Sequence, residues 1–358
     1  MDGAWVYLVT GGCGFVGERI VELLSQQDYI KEVRVFDSVA REEVEKFSTG
    51  KKRASASIQG DIRDPGVLLA AMQGVHVVVH TAALVDYRGT VPFWELRAVN
   101  VGGTENVLRA CCALSIPNLL YTSSIAAVGP NASCEPLLRG DEDTEYSGEV
   151  ELPYGKTKAM AEKIVREANG KKVQNAVVAP LELQTAQGKE GHVNRQTELL
   201  LTACFSPSLI SAGNVAWMHV LAARSLQLQP ELLAGQVYYC YDDTPSRKGF
   251  LVRLQLLSSA DPGVRLGSHI PYWKMWLLIQ LHRLIRAILP PFWRPQPFLN
   301  VPLLNTIVTS FSFETDKASR HFGYKPLFSW EQSRLRTAQW LKAAAGSLAP
   351  PQLHGKNN

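Results

Sequence analysis

The sequence predicts a doubly wound α/β fold on a parallel sheet, with a smaller C-terminal lobe. Three observations carry that reading. Short, nearly continuous apolar runs alternate with helix-length stretches through the first half of the chain. The first run flows into a glycine-rich turn that opens an amphipathic helix. A later run ends in hydroxyl side chains, at the strand end where open parallel sheets bind their ligands. With 358 residues, 46% of them hydrophobic, the chain is long enough for one large domain or a domain with an appended lobe.

Trp5–Val9 has the composition of a buried strand and leads into Thr10-Gly-Gly-Cys-Gly-Phe-Val-Gly17. Gly11, Gly14 and Gly17 permit the tight turn, the approach of backbone to a pyrophosphate and close helix-to-sheet packing. The following helix, with Ile20, Val21, Leu23 and Leu24, adds N–H donors and positive dipole at its start. The strand before and the helix after supply the context that a lone glycine pattern lacks. A second strand, Val33–Phe36, ends in Asp37, about 20 residues past the last glycine, where an acidic side chain meets the adenine ribose hydroxyl. Its carboxylate would repel a ribose phosphate and so favours NAD over NADP, with Arg41 nearby as an opposing cation.

Ser57–Asp61 reads as a third strand ending in a turn, and Val75–Thr81 as a fourth, doubly covered one. A helical region from Phe93 to Leu114 precedes the fifth strand, Leu119–Ser124. The next helix carries Tyr154 and Lys158 and stops at Asn169-Gly170. Four residues apart on a helix, a phenol and an ammonium share one face. The ammonium is expected to pull the phenol down from about 10 towards working pH, as a general acid/base requires. Tyr-x-x-x-Lys also arises by chance on exposed helices, so its weight comes from the glycine loop upstream.

Net charge is only +4, without a Lys/Arg tract interleaved with aromatics, which argues against nucleic acid as a partner. Lys51-Lys52-Arg53 reads as a solvated loop. None of the eight histidines has metal-ligand spacing, so no metal is expected. Six cysteines without a CxxC pair fit a reduced, cytosol-facing compartment, where the sequon at Asn131 stays unmodified. No basic-then-apolar leader is read at the amino terminus.

From Tyr272 to Trp293, Leu277, Leu278, Leu281, Leu284, Ile285, Ile288 and Leu289 fall on one helical arc. Gln280, His282, Arg283 and Arg286 fall mostly on the other. Charges interrupt the roughly 18 apolar residues a spanning helix needs. The pattern fits a helix lying in a membrane interface, or a domain-packing helix of the same periodicity.

TGGCGFVG at 10–17, HTAA at 80–83, AVNVGGTENVL at 98–108, YTSS at 121–124 and YxxxK at 154 resemble the extended short-chain dehydrogenase/reductases, whose core is a Rossmann fold. YTSSIAAVGPN, GNVAWMHVLAAR (213–224), GQVYYCYDDTP (235–245) and TDKASRHFGYKPLFSWEQS (315–333) narrow the likeness to the 3-beta-hydroxysteroid dehydrogenase family. The last two resemble most the branch that acts on 27-carbon sterols of bile acid synthesis. The resemblance implies that Tyr154 is the acid/base, Lys158 its tuning and ribose-holding partner, and Ser124, rather than Ser123, the hydrogen-bond partner of the reacting oxygen. It implies NAD contacts from Gly11, Gly14, Phe15, Val16, Gly17, Asp37, Asp61, Ile62, Ala82, Asn100, Tyr154 and Lys158, with Asn100 supporting the site from its helix. Asp61 could equally cap a turn, and Asn100 could be a buried amide satisfied by backbone.

The implied domains are an NAD-binding core with the Tyr/Lys helix over 1–175, a substrate lobe interleaved with the last core elements over 176–345, and a tail over 346–358. The lobe includes the interfacial helix 272–293. The implied reaction is NAD-dependent oxidation of a 5-ene sterol 3-beta-hydroxyl with migration of the double bond, on the cytosolic face of the endoplasmic reticulum membrane. Steroid-hormone precursors are the alternative substrates, and a homodimer is an allowed assembly. The chain departs from the family over 177–212, which lacks the arginine before Pro180 and a tyrosine-glycine, and over Ser246–Arg253. Altered splicing, a reading-frame error and true divergence all fit. The rival reading is therefore an NAD-binding protein with impaired turnover.

Overall fold

The computed structural model describes residues 5–39, 57–146, 148–171, 173–181, 211–243, 270–288 and 299–347, by backbone alone at 179–181 and 341–347. Six parallel strands form the main sheet: β1 (Trp5–Thr10), β2 (Ile30–Asp37), β3 (Ser57–Gln59), β4 (Val77–His80), β5 (Asn118–Ser124) and β7 (Asn175–Leu181). Their order is β3-β2-β1-β4-β5-β7, so the direction of winding reverses between β1 and β4. A separate parallel pair joins β6 (Leu137–Gly140) to β8 (Phe311–Phe313).

The helices of the first half are α1 (Phe15–Ser25), α2 (Pro65–Ala71), α3 (Phe93–Arg97), α4 (Gly103–Ala113) and α5 (Pro153–Ala168). Those of the second are α6 (Ala212–Leu228), α7 (Pro230–Leu233), α8 (Tyr272–Ile288), α9 (Val301–Val308), α10 (Lys317–Phe322) and α11 (Trp330–Ser347).

Both faces of the sheet are covered, which is why β4 reads as unbroken valine rather than as alternation. On one face Ile20, Val21 and Leu24 of α1 meet Val215, Met218, Ala222 and Leu226 of α6. On the other, Leu68 of α2, Val107 and Leu108 of α4, and Ala161 and Val165 of α5 pack together. Residues 212–228, far along the sequence, thus complete the core begun by the first 25.

Two boundaries differ from the sequence reading. The third strand stops at Gln59, because Gly60 turns the chain and donates to the Asp37 carbonyl at 2.8 Å. The helix expected from Phe93 to Leu114 is interrupted at Ala98–Gly102 by a π turn, which places Asn100 in the widened segment. Gly103 follows with so little space that an added Cβ would stand 2.3 Å from Ile62 Cδ1.

Two small apolar clusters lie near the strand ends. Ala126, Val150, Leu152 and Tyr154 form one; Ile279, Leu299, Leu303 and Leu304 form the other, and Tyr87 packs against both. The helix expected over 272–293 is described over Tyr272–Ile288; positions 289–293 lie outside the described residues, as do Arg41, the Lys51–Arg53 loop, 182–210 of the first block of departure and all of the second.

Candidate active site

The glycine loop closes onto itself. Gly14 N–H donates to the Gly11 carbonyl at 3.0 Å. Gly11 has φ of 70°, a conformation that favours glycine, and a Cβ on it would lie 2.7 Å from Ala82 backbone. A Cβ on Gly17 would lie 2.1 Å from the Gly11 oxygen, so the turn admits no side chain there. α1 begins at Phe15 with no side-chain cap, which leaves its first-turn N–H groups directed out of the loop. Phe15 packs edge-on against Trp340 of α11, with ring centroids 5.4 Å apart, and Val16 packs against the core.

Asp37 ends β2 beside this loop: its carboxylate accepts from Cys13 N at 2.9 Å and from Val39 N at 3.1 Å. An uncapped helix start, a glycine turn that a Cβ would fill and an acidic side chain at its lip are what a dinucleotide needs. These residues therefore fit NAD.

Asp61 is committed locally. Its carboxylate accepts from Arg63 N at 2.8 Å and pairs with the Arg63 guanidinium, which holds its carboxyl below the usual range. Ile62 is buried against α4, and Ala82 serves through its backbone beside Gly11. Asn100 is buried and bridges two elements: Oδ1 accepts from Leu84 N at 2.7 Å, while Nδ2 donates to Leu84 O at 2.9 Å and to Thr157 Oγ1 at 2.9 Å. Thr157 in turn donates to the Tyr154 carbonyl at 2.7 Å.

Ser124, Tyr154 and Lys158 converge where β5 meets the start of α5. Gly155 permits this closeness, since a Cβ on it would stand 2.2 Å from the Ala126 oxygen. The Ser124 side chain accepts from Ala126 N at 3.2 Å and lies beside the buried Tyr154 phenol. Burial raises Tyr154 well above an ordinary tyrosine, and the neighbouring Ser124 hydroxyl opposes the rise only in small part.

This corrects the expectation that the lysine pulls the phenol down. Lys158 Nζ donates instead to the Thr122 carbonyl at 2.7 Å and the Tyr121 hydroxyl at 3.3 Å, so strand β5 holds the ammonium. Burial pushes Lys158 down to about 7. His80 is buried between Thr10 Oγ1, at 2.6 Å, and Thr104 Oγ1, at 3.0 Å; burial pushes it down to about 3, so it is neutral.

Sequence reasoning assigned no role to Tyr87, Thr157 or Glu162. The Tyr87 ring lies 5.1 Å from that of Tyr154. Thr157 sits on the buried face of α5, one turn beyond Tyr154, and Glu162 is half-buried two turns beyond it; that periodicity was the available signal.

The model of the 3-beta hydroxysteroid dehydrogenase/isomerase family matches residues 8–271. The 3 beta-hydroxysteroid dehydrogenase type 7 of Mus musculus is 43% identical over 96% of this chain and 97% of its own length, and that of Homo sapiens likewise. Among solved structures, the UDP-glucose 4-epimerase from Brucella ovis in complex with NAD superposes with a TM-score of 0.63 at 21% identity. That match covers 95% of this chain and 99% of the epimerase. Pal from Bacillus thuringiensis gives a TM-score of 0.65 at 18% identity, over 95% and 99% of the two chains. The structural likeness is one of fold; the similarity in sequence, running nearly end to end, shows that the chain belongs to the 3-beta hydroxysteroid dehydrogenase/isomerase family.

Proposed function

We propose that this protein oxidises the 3-beta-hydroxyl of a 5-ene sterol of 27 carbons, a bile acid precursor, and shifts the double bond to the 4,5 position. As a member of its family it is an NAD-dependent oxidoreductase. The observation that supports the reaction best is the buried Ser124–Tyr154 pair at the carboxyl end of β5, on the same sheet edge as the glycine loop.

When bound, NAD supplies the acceptor for the hydride leaving the sterol carbon. Gly11, Gly14 and Gly17 give the pyrophosphate its approach, the first turn of α1 offers N–H donors, and Asp37 accepts from the adenine ribose. Lys158 holds the nicotinamide ribose. Tyr154 Oη takes the proton of the sterol hydroxyl, and Ser124 Oγ orients that oxygen. Burial that disfavours the phenolate also makes it a stronger base once formed, so the charge at Lys158 matters to the step.

The protein is further proposed to rest on the cytosolic face of the endoplasmic reticulum membrane through α8. Trp273, Trp276, Leu277, Leu281, Leu284 and Ile288 are all exposed, while Ile279 alone in that helix is fully buried. No described helix is long and apolar enough to cross a membrane. A large exposed apolar face on a helix with flanking arginines suits an interface that also dissolves the substrate.

Purified protein, given NAD and a 5-ene 3-beta-hydroxysterol, is expected to form NADH and an enone absorbing in the ultraviolet. NAD binding without enone from any sterol of the series would instead favour the NAD-binding protein of impaired turnover. That second reading rests on the departure at 177–212, of which 182–210 lie outside the described residues.

A further inference from the structure

Strand β5 ends in two adjacent serines that meet different residues of α5. Ser124 lies beside Tyr154, whereas the Ser123 hydroxyl donates to Glu162 Oε2 at 2.7 Å. Glu162 follows Lys158 by four residues on α5, the separation at which helical side chains become neighbours. Thr122, next along the strand, accepts from Lys158 Nζ at 2.7 Å. Consecutive residues of β5 therefore hold an ammonium, a carboxyl group and the catalytic serine in one helix–sheet seam. On its outer side Glu162 reaches a groove of about 590 Å³, shared with Ala127, Val128, Lys163 and Arg166, through which protons can exchange with solvent.

A lysine carried into such a seam loses its hydration and tends to lose its charge unless an anion accompanies it. We propose that Glu162, oriented by Ser123, is a positioning residue that keeps Lys158 cationic beneath the acid/base tyrosine. The role assigned to it rests on the reading of Tyr154 and Lys158 as the catalytic pair.

The charges in the seam agree with this. Burial drives Lys158 down to about 7, and Glu162 is the group that opposes the fall. Burial raises the Glu162 carboxyl, and the Ser123 hydrogen bond, Arg166 and Lys158 counter it in that order. Glu167 shares the groove with Glu162 but lies two turns beyond Lys158 and does not figure among the groups acting on it; the other titratable groups facing the pair from inside are His80, Tyr121 and Tyr239. All three are neutral: burial pushes His80 down to about 3 and raises both phenols far beyond working pH. Arg166 and Lys163 on the groove side are cations and repel the ammonium, so they cannot replace the carboxylate.

The sign is fixed. Removing the carboxylate takes away a contribution that raises the lysine pKa, so Lys158 must lose its proton at lower pH. The test is NMR of protein carrying 13C-labelled lysine, with the Lys158 signal identified by its loss in Lys158→Arg. The midpoint of its titration is expected at clearly lower pH in Glu162→Gln than in the unsubstituted protein. Ser123→Ala, which keeps both charges and removes only the orienting hydroxyl, is expected to move it the same way by less. In turnover, the alkaline limb of kcat/KM should move in the same direction.

Superimposed titrations of Glu162→Gln and unsubstituted protein would overturn the assignment. Should Glu162→Gln fail to fold, an unmoved midpoint in Ser123→Ala would do the same. Because the titration needs no turnover, a protein inactive on every sterol would defeat the proposed reaction yet leave the role of Glu162 decided by the lysine signal.

Discussion

Asn100→Ala tests whether the active site is held by the amide that ties α5 to the loop after β4. Three hydrogen bonds disappear: two with the Leu84 backbone and one with Thr157 Oγ1. Thr157 keeps its bond to the Tyr154 carbonyl, so its hydroxyl is not stranded. Leu84 loses a partner for both its N–H and its C=O. At about 1–3 kcal/mol for each unsatisfied group the sum is about 2–6 kcal/mol, and water entering the space of the lost amide brings it towards about 3 kcal/mol.

Urea unfolding followed by tryptophan fluorescence measures that loss, with Asn106→Ala as the control. Asn106 donates to the Ile62 carbonyl at 3.1 Å from a more exposed position and should cost less than about 1 kcal/mol. Turnover of Asn100→Ala should fall even where the protein is fully folded, because the start of α5 is no longer tied to Leu84. Stability within about 1 kcal/mol of the unsubstituted protein, together with full turnover, would refute the argument.

Tyr154→Phe should remove turnover by about 100-fold or more while leaving NAD affinity nearly unchanged, and Lys158→Ala should harm both; substantial activity in the phenylalanine variant would refute the proton-transfer role. Asp37→Ala should relax the preference for NAD over NADP, read as a ratio of kcat/KM values, and an unchanged ratio would place the carboxylate elsewhere. His80 and His219, pushed down to about 3 and about 4 by burial, bind protons readily only when unfolded. Stability should therefore fall by about 2 kcal/mol per histidine as pH drops from 7 to 5, and His219→Gln should flatten that slope. Replacing Leu281, Leu284 and Ile288 with serine should move the protein from the microsomal to the soluble fraction with NAD binding intact; a variant that unfolds instead would make α8 a packing helix.

Much of the core was legible because its physics is local. The glycine turn, the valines of β4 and the acid at the end of β2 each announce themselves through a pattern only a few residues long. What escaped was set by distance in sequence. Lys158 was expected to tune Tyr154 from one turn away, but the long side chain is held by Thr122 and Tyr121, which reach it from a strand more than thirty residues earlier. Asp61 shows a local role that the sequence did allow, a turn closed with Arg63. That Ser123 bonds Glu162 could not be read from sequence either, since it depends on how α5 packs against β5. That α6 would share a core with α1 could not be read from periodicity, since both helices are simply apolar on one side.

The π turn at Ala98–Gly102 gives the chain an unusual sensitivity to length. A π turn accommodates one residue more than a regular helix, and each residue of an α-helix accounts for about 100° of rotation. Omitting one residue from this stretch would let α3 and α4 fuse into a continuous rod. Because the π turn absorbs its extra residue locally, α3 and its fully buried Leu96 would keep their facing, and the change would fall on the residues within the turn. Asn100 would then point away from Leu84 and Thr157 even though its amide was still encoded. Single-codon loss here should thus be more damaging than most side-chain replacements in the same segment, a pattern that a comparison of in-frame deletions with alanine substitutions across 98–102 would display directly.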